Sequence, residues 1–193
     1  KPLYLLYDQI YSLLTFNNME HVDPVSLRPE LKDYVVYIDG ISKCFSATGV
    51  RVGWGFGPEA IIGKMKSILG HVGAWSPKAE QIATAQFLKD TVAVNTYLHA
   101  FKMQIQKSLD TLYQGIKQLK SEGFTVDAIE PMGAIYLTVQ LEYAGKTTPD
   151  GTVLKTSADI NFYLIKEAKI GLVPFSAFGN GTDVNWFRAS VGA

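Results

Sequence analysis

The sequence predicts an α/β fold, in which a mainly parallel sheet covered by helices is followed by a smaller α+β domain. A continuous apolar run of strand length, residues 3–7, suits a strand that is buried on both faces, as in parallel sheets. Residues 34–38, rich in β-branched and aromatic residues, predict the next strand. Other segments repeat apolar residues every three or four positions, which is typical of helices. After residue 123, short strand-like runs alternate with turns, and this change indicates the second domain.

Composition and charge limit the kinds of protein that this chain can be. Hydrophobic residues make up 47% of the 193 residues and charged residues 19%, which supports a sizeable core and argues against disorder. The formal net charge is zero, so we expect neither nucleic acid nor a membrane surface as a partner. No apolar run reaches the roughly 18 residues of a membrane span. The single cysteine, Cys44, excludes an internal disulfide and fits a reducing compartment, so we expect a cytoplasmic protein.

The two ends of the chain indicate a piece of a longer protein. The chain starts with Lys1 and Pro2 rather than methionine and runs at once into the first predicted strand. It stops in another apolar, strand-like run at residues 187–193. Any targeting signal would then lie out of view.

Proline and glycine bound the elements of the first predicted domain, residues 1–92. Residues 16–29 are polar and irregular, which indicates a surface excursion. The apolar run at residues 50–56, with interleaved glycines, predicts a third strand. Pro58 stands at a favourable first helical position, and we expect Gly70 to end that helix. A second helix is predicted over residues 78–89.

A long helix over about residues 92–122 is predicted to connect the first domain to the second, residues 93–193. Its apolar residues recur every three or four positions, and Gly123 is a natural stop. The second domain is predicted to contain strands at residues 124–126, 134–141, 171–174 and 186–191, a turn at residues 148–151, and a helix over residues 158–168 capped by Ser157.

Lys43 lies in a run of small residues, and Arg51 follows it by eight positions, between two glycines. A lysine that acts as a nucleophile needs small neighbours, partial burial and an anionic partner close by. Arg51 is the candidate residue for holding that anion. On its own, however, a lysine in a loop is far more often a solvated surface charge.

Asp8 comes directly after the first predicted strand. Open α/β sheets bind their ligands at the carboxyl ends of parallel strands, so an acidic residue there is a candidate binding group. A turn or capping aspartate is the alternative interpretation.

Several separated stretches together resemble the class I/II pyridoxal-phosphate-dependent aminotransferases of fold type I, the family of aspartate aminotransferase. Residues 40–53 (GISKCFSATGVRVG) are similar to the family's cofactor attachment site, and residues 8–11 (DQIY) resemble its D-x-x-Y element. Residues 131–136 (PMGAIY), 174–179 (PFSAFG) and 186–190 (WFRAS) resemble elements of its small domain. The order of the motifs also matches. The resemblance therefore implies the C-terminal part of the large cofactor-binding domain, followed by the small domain.

The resemblance implies pyridoxal 5′-phosphate as cofactor and gives roles to three residues of the first domain. Lys43 would form a Schiff base with the cofactor aldehyde and later move a proton between substrate and cofactor. Asp8 would pair with the pyridine nitrogen and keep it protonated. Tyr11 would donate to the phenolic oxygen of the cofactor, with core packing as the alternative for this side chain.

The resemblance also implies residues that bind anions. Arg51 would hold the cofactor phosphate with its planar fork, and Arg188 would hold the substrate α-carboxylate in the same way. Ser42 would donate to the phosphate, or would merely be a small neighbour for the lysine. Some family members carry serine where this chain has Gly40, so one phosphate hydroxyl is missing here. We expect no metal site, because the three histidines lack the spacing of metal ligands.

For the whole protein, the resemblance implies a homodimer that transfers an amino group between an α-amino acid and a 2-oxo acid. Two alternatives stay open: another reaction of the same framework, such as carbon–sulfur β-elimination, and a non-catalytic folded domain. The family's first half, which supplies further cofactor and substrate groups, is not in this chain. We therefore expect the chain alone to be inactive, to bind cofactor poorly and to self-associate through exposed strand edges and apolar surface.

Overall fold

The computed structural model describes residues 3–179 and 185–192. It has two compact units, Lys1–Lys102 and Met103–Ala193. The division falls inside the long helix, whereas the sequence pattern puts the domain boundary at the start of that helix. Residues 1, 2, 180–184 and 193, which the two predicted domains include, lie outside the described residues.

The first unit contains a three-stranded sheet in the order β1–β2–β3. Strands β1 (Leu5–Asp8) and β2 (Val35–Gly40) are parallel, with Asp8 opposite Ile38. Strand β3 (Gly53–Phe56) runs antiparallel to β2. It is shorter than the predicted run, because the residues before it form a turn.

Burial within this sheet is uneven. Val35, Val36 and Tyr37 of the central strand are buried, since β2 has a neighbouring strand on each side. The expectation that the first strand is buried on both faces is wrong for this chain, because Leu3 is 89% exposed and Leu6 is 66% exposed. β1 is an edge strand of the described sheet, so its apolar side chains stay accessible to solvent. Self-association through this surface stays a prediction.

The segment predicted as an irregular excursion contains one short helical turn, and a second begins at its last residue, Pro29. Helix α1 (Pro24–Leu27) is capped by Asp23, whose carboxylate accepts from the backbone N–H groups of Val25 and Ser26 at 3.0 and 3.1 Å. A 3-10 turn (Pro29–Asp33) follows directly. Proline at the start of each turn supplies the φ angle that a helical turn needs without losing a hydrogen bond.

The next two helices confirm the predicted order but not all of their ends. Helix α2 (Glu59–Val72) continues through Gly70, so the predicted stop is wrong. The helix ends instead at Gly73, which has φ 69° and donates its backbone N–H to the carbonyl of Leu69. A glycine inside a helix is tolerated for roughly 1 kcal/mol, whereas the left-handed conformation is what ends the helix. Helix α3 (Lys78–Phe87) follows.

The predicted long helix is confirmed as α4 (Thr91–Ser121). The predicted stop at Gly123 is also confirmed, since this residue has φ 94°. Its N–H donates to the carbonyl of Lys120, and the N–H of Phe124 donates to that of Leu119, which together close the last helical turn.

The early turns of α4 belong to the first unit because of their aromatic side chains. Tyr97 stacks on Phe45, with ring centroids 5.9 Å apart, and also on Phe101 at 5.5 Å. Phe87 of α3 meets Phe45 edge-on at 5.4 Å. These contacts explain why the division between the units falls within the helix.

The second unit contains a four-stranded antiparallel sheet in the order β4–β5–β7–β6. Alternate residues of β5 are buried, as expected for a sheet with one covered face. Some of the largest buried side chains of the unit are Phe187, Leu137 and Ile160. The strands are β4 (Val126–Ala128), β5 (Tyr136–Leu141), β6 (Val173–Pro174) and β7 (Trp186–Ser190).

Helix α5 (Ser157–Tyr163) begins one residue earlier than predicted. Its cap is Thr156 rather than Ser157: the Thr156 side chain accepts from the N–H of Asp159, and the Asp159 carboxylate accepts from the N–H of Thr156. This reciprocal pair satisfies two backbone donors, whereas the buried Ser157 shares a hydrogen bond with Ser176 at 3.3 Å. A π-helical turn (Leu164–Ala168) completes the predicted helix.

Among the helices that the structure describes, none is both long enough and apolar enough to cross a bilayer. Within the same residues, no group of three or more histidine, cysteine or acidic side chains is arranged to hold a metal ion.

Candidate active site

Two of the predicted groups lie at the carboxyl ends of neighbouring parallel strands. Asp8 is the last residue of β1, and β2 ends at Gly40, shortly before Lys43. Since the two strands are parallel, their carboxyl ends lie next to each other at the same end of the sheet. This is the end at which open α/β sheets bind ligands.

The Asp8 carboxylate is exposed and shapes the turn after β1. Its Oδ1 accepts from the backbone N–H of Ile10 at 3.1 Å, as in an Asx turn. The turn and ligand interpretations are compatible, because a carboxylate has two oxygens with several acceptor positions. Tyr11 follows in the same turn and is half-buried, and its carbonyl accepts from the N–H of Leu14 at 2.8 Å.

Lys43 lies on a helical turn that leaves the end of β2. The N–H of Phe45 donates to the carbonyl of Ile41 at 3.2 Å, which closes the turn. Ile41 and Cys44 are buried and anchor it, whereas Ser42 and Lys43 between them are half-buried. The fold therefore supplies the partial burial that a reactive lysine needs.

Cys44 lies next to the lysine but is chemically protected. Its thiol is buried against the carbonyl of Gly40, and burial, aided by the negative charge of Asp39, raises its pKa to about 11. We therefore expect alkylation of Cys44 by iodoacetamide at pH 8 to be roughly 100-fold slower in the folded chain than in urea. Mass spectrometry over time measures both rates. Equal rates in the two states would contradict this protection.

Gly40 and Gly53 are directly paired in the antiparallel strands β2 and β3. A Cβ atom on Gly40 would lie 2.9 Å from the carbonyl oxygen of Val52 and 3.0 Å from the Cα of Gly53. Both are backbone atoms, so a serine at Gly40 needs the strands to separate. The missing hydroxyl noted in the sequence therefore has a steric reason in this chain.

Arg51 occupies a strained position at the end of the loop. Its φ is 60°, in the left-handed region that long side chains seldom adopt. The Nη1 donates to the carbonyl of Thr48 at 2.8 Å, and the side chain is exposed. One carbonyl engages only part of a guanidinium with five N–H donors, so Arg51 keeps the capacity to hold an anion.

Arg188 lies in the second unit, at the centre of β7. Its guanidinium carbon is 4.2 Å from the ring centroid of Tyr136 and 4.6 Å from that of Phe178. Among the residues that the structure describes, no carboxylate lies within 4.0 Å of this half-buried arginine. Both ring distances are within the range of cation–π contact, which involves the face of each ring and does not use the N–H donors of the guanidinium.

The structure brings the candidate residues together in two groups. Asp8, Tyr11, Ser42, Lys43 and Arg51 belong to the first unit, in the segments that follow β1 and β2. Arg188 belongs to the second unit.

Sequence reasoning missed Tyr136 and Phe178, the rings beside Arg188. Both lie in motifs noted for the resemblance, at residues 131–136 and 174–179. An aromatic residue at the end of each motif was the available signal, but only the pairing of β7 with β5 and β6 brings these segments to the arginine.

Comparison with known proteins bears on these observations. The family model described as aminotransferase class I and II matches residues 1–193. The aspartate aminotransferase of Geobacillus stearothermophilus is 34% identical over 91% of this chain, and a probable aspartate/prephenate aminotransferase of Rickettsia bellii is 30% identical over the same share. In both cases the match covers 42% of the relative. The chain thus spans less than half the length of the curated relatives that it matches.

Solved structures agree with the sequence comparison. The crystal structure of the aspartate aminotransferase from Rhizobium meliloti superposes with a TM-score of 0.84 at 28% identity, covering 98% of this chain and 45% of that one. This likeness confirms the predicted α/β architecture with its second, smaller domain. With the family model matching from end to end, the chain belongs to the class I and II aminotransferase family.

Proposed function

We propose that the protein containing this chain is a pyridoxal-phosphate-dependent aminotransferase, which moves an amino group between an α-amino acid and a 2-oxo acid. The observation that carries the proposal is the placement of Asp8 at the carboxyl end of β1 and of Lys43 shortly after the carboxyl end of β2, the adjacent parallel strand. An amine and a carboxylate at the same end of the sheet are the two groups that this cofactor needs most.

The donor set fits the cofactor group by group. Pyridoxal phosphate, when bound, supplies an aldehyde that condenses with amines and a ring that accepts electrons from the substrate α-carbon. Lys43 contributes the amine and, once released, carries the proton to and from the α-carbon. Asp8 contributes a negative charge that keeps the ring nitrogen protonated.

The remaining candidate groups of the first unit suit the phosphate and the phenolic oxygen of the cofactor. Arg51 is exposed and carries a planar donor fork that matches a phosphate. Ser42, next to the lysine, adds a hydroxyl donor for the same phosphate. Tyr11, in the turn after Asp8, would donate to the phenolic oxygen. Gly40 contributes no side chain, because the paired strands β2 and β3 leave no room for one.

Arg188 suits the substrate rather than the cofactor. Its guanidinium contacts the rings of both Tyr136 and Phe178, and these contacts restrict its motion before any ligand arrives. A preoriented fork binds a carboxylate in two parallel hydrogen bonds with little loss of side-chain entropy. An α-amino acid and its 2-oxo acid both carry that carboxylate.

The names of the relatives favour aspartate as the amino acid to assay first, and their length favours a longer protein as the active form. We propose that this longer form is a cytoplasmic homodimer. The chain alone covers less than half of each relative, so we propose that it is inactive by itself.

Cofactor attachment tests the proposal directly. The product of the complete reading frame is incubated with pyridoxal phosphate, reduced with borohydride and mapped by peptide mass spectrometry. We expect the label on Lys43, because reduction makes the link between lysine and cofactor permanent. Label spread over exposed lysines, or none, would contradict the enzyme and favour a non-catalytic domain. The 193-residue chain, treated in parallel, is expected to show no selective label at Lys43.

A further inference from the structure

The turns after β1 and β2 are joined by more than the sheet itself. The backbone N–H of Gln9, the first residue after β1, donates to the carbonyl of Ile38 at 2.9 Å. Asp8 ends β1 just before this bond. Beyond the bond the two segments enter separate turns, one carrying Tyr11 and the other carrying Lys43. A side-chain hydrogen bond continues the connection: Gln9 Nε2 donates to Asp39 Oδ2 at 3.3 Å.

The same carboxylate also accepts a hydrogen bond at the end of its own strand, β2. Asp39 Oδ1 accepts from the backbone N–H of Gly40 at 2.7 Å. Each oxygen of Asp39 therefore has its own donor, Gln9 just after β1 and Gly40 at the end of β2, from which the Lys43 turn continues. We call this pair of hydrogen bonds the Gln9–Asp39–Gly40 bridge.

The acceptor of the bridge, the Asp39 carboxylate, lies in surroundings that disfavour its negative charge. Burial raises the pKa of the Asp39 carboxyl above its ordinary value, and the negative charge of Asp8 adds to the rise. The hydrogen bonds from Gly40 and Gln9, and the charge of His21, act in the opposite direction. A half-buried carboxylate beside another carboxylate thus depends on these two donors, which ties its position to theirs.

We propose that Asp39 is a positioning residue, which holds the end of β2, and with it the Lys43 turn, in register with the end of β1 that carries Asp8. This role rests on the proposed function, because it concerns the distance between the amine and the acid of the cofactor site. Asp39 touches neither cofactor nor substrate in this role. It acts through Gln9 on one side and Gly40 on the other.

Five variants separate this role from a general effect on folding. Gln9→Ala and Asp39→Ala each remove one end of the longer bond, and the double variant removes both. Asp39→Asn is the conservative variant: its oxygen still accepts from Gly40, and its amide donates to Gln9 after the glutamine side chain turns over. Asp110→Ala in α4 is the matched control, a half-buried aspartate in the second unit.

Hydrogen exchange on the 193-residue chain measures how strongly the bridge protects nearby backbone N–H groups, and it needs no cofactor. The probes are the backbone N–H groups of Gly40, Ile41 and Phe45, which have acceptors in or next to the turn. We expect roughly tenfold faster exchange in Gln9→Ala and Asp39→Ala, little further change in the double variant, and near wild-type exchange in Asp39→Asn. Unchanged exchange in Gln9→Ala and in Asp39→Ala would overturn the proposal. If Asp39→Ala does not fold, Gln9→Ala and Asp39→Asn still decide.

The rate of borohydride trapping at Lys43, in the product of the complete reading frame, measures the effect of the bridge on the position of the lysine. We expect roughly tenfold slower trapping in Gln9→Ala and Asp39→Ala, with recovery in Asp39→Asn and no change in Asp110→Ala. Faster exchange with unchanged trapping would overturn the positioning role alone. A wild-type protein that takes no label at Lys43 would instead overturn the proposed function, and this role with it.

Discussion

Replacing Lys43 by alanine is expected to reduce amino transfer by roughly 10⁴-fold or more in the product of the complete reading frame. In the proposed function the lysine has two tasks, attachment of the cofactor and movement of the proton at the α-carbon, and no neighbouring side chain of its turn carries an amine. The measurement is the initial rate of 2-oxo acid formation from aspartate and a 2-oxo acid acceptor. A folded variant that keeps a substantial fraction of the rate would remove Lys43 from the mechanism.

Lys64→Ala is the matched control for this experiment. Lys64 lies on α2 and is exposed, so its removal deletes the same chemical group without touching the turn after β2. We expect the wild-type rate from this variant. A similar loss in both variants would show that the assay responds to net charge or folding rather than to the amine of Lys43.

Replacing Gly57 by alanine is expected to destabilise the first unit by about 2–4 kcal/mol. The new Cβ would lie 2.6 Å from the carbonyl oxygen of Val35 and 3.1 Å from the Cα of Val36, which are backbone atoms of the buried central strand. Gly57 also has φ 156°, a conformation that residues with a side chain rarely adopt. Urea unfolding followed by far-UV circular dichroism measures the free energy of unfolding.

Gly63→Ala provides the opposite outcome at a matched site. Gly63 lies inside α2, and no heavy atom outside its own helix would come within 4 Å of its Cβ. We expect a gain of about 0.5–1 kcal/mol, because alanine restricts the unfolded chain and fits a helix. Loss of stability in Gly63→Ala, or none in Gly57→Ala, would contradict the steric explanation.

The elements most accurately predicted from sequence are those whose signal is long or redundant. The pattern at residues 92–122 repeats over many turns, and the structure has α4 (Thr91–Ser121). Gly123 stands where that pattern stops and, as a glycine, is suited to the left-handed conformation. It ends the helix as predicted. Strand β2 was equally clear, because a β-branched and aromatic run is buried at the centre of its sheet.

Element ends were predicted less well, because competing residues near each end offer the same local chemistry. Gly70 and Gly73 can both end α2, and only the second adopts the left-handed conformation. Thr156 and Ser157 can both cap α5, and the partner carboxylate of Asp159 decides for Thr156. In each pair the choice depends on geometry that spans several residues, which a single-residue preference does not contain.

The sequence by itself identified the family of this protein: the motifs around Lys43 and Arg51, and those around Asp8 and Arg188, resemble a family that the comparisons confirm. These signals are local, so they survive without coordinates. Only the tertiary structure showed that Gly40 has no room for a side chain, that two rings contact Arg188, and that Asp39 joins the ends of two strands. The contacts of Gln9 with Asp39, and of Tyr136 with Arg188, join residues far apart in sequence, which the pairing of β1 with β2 and of β5 with β7 brings near each other.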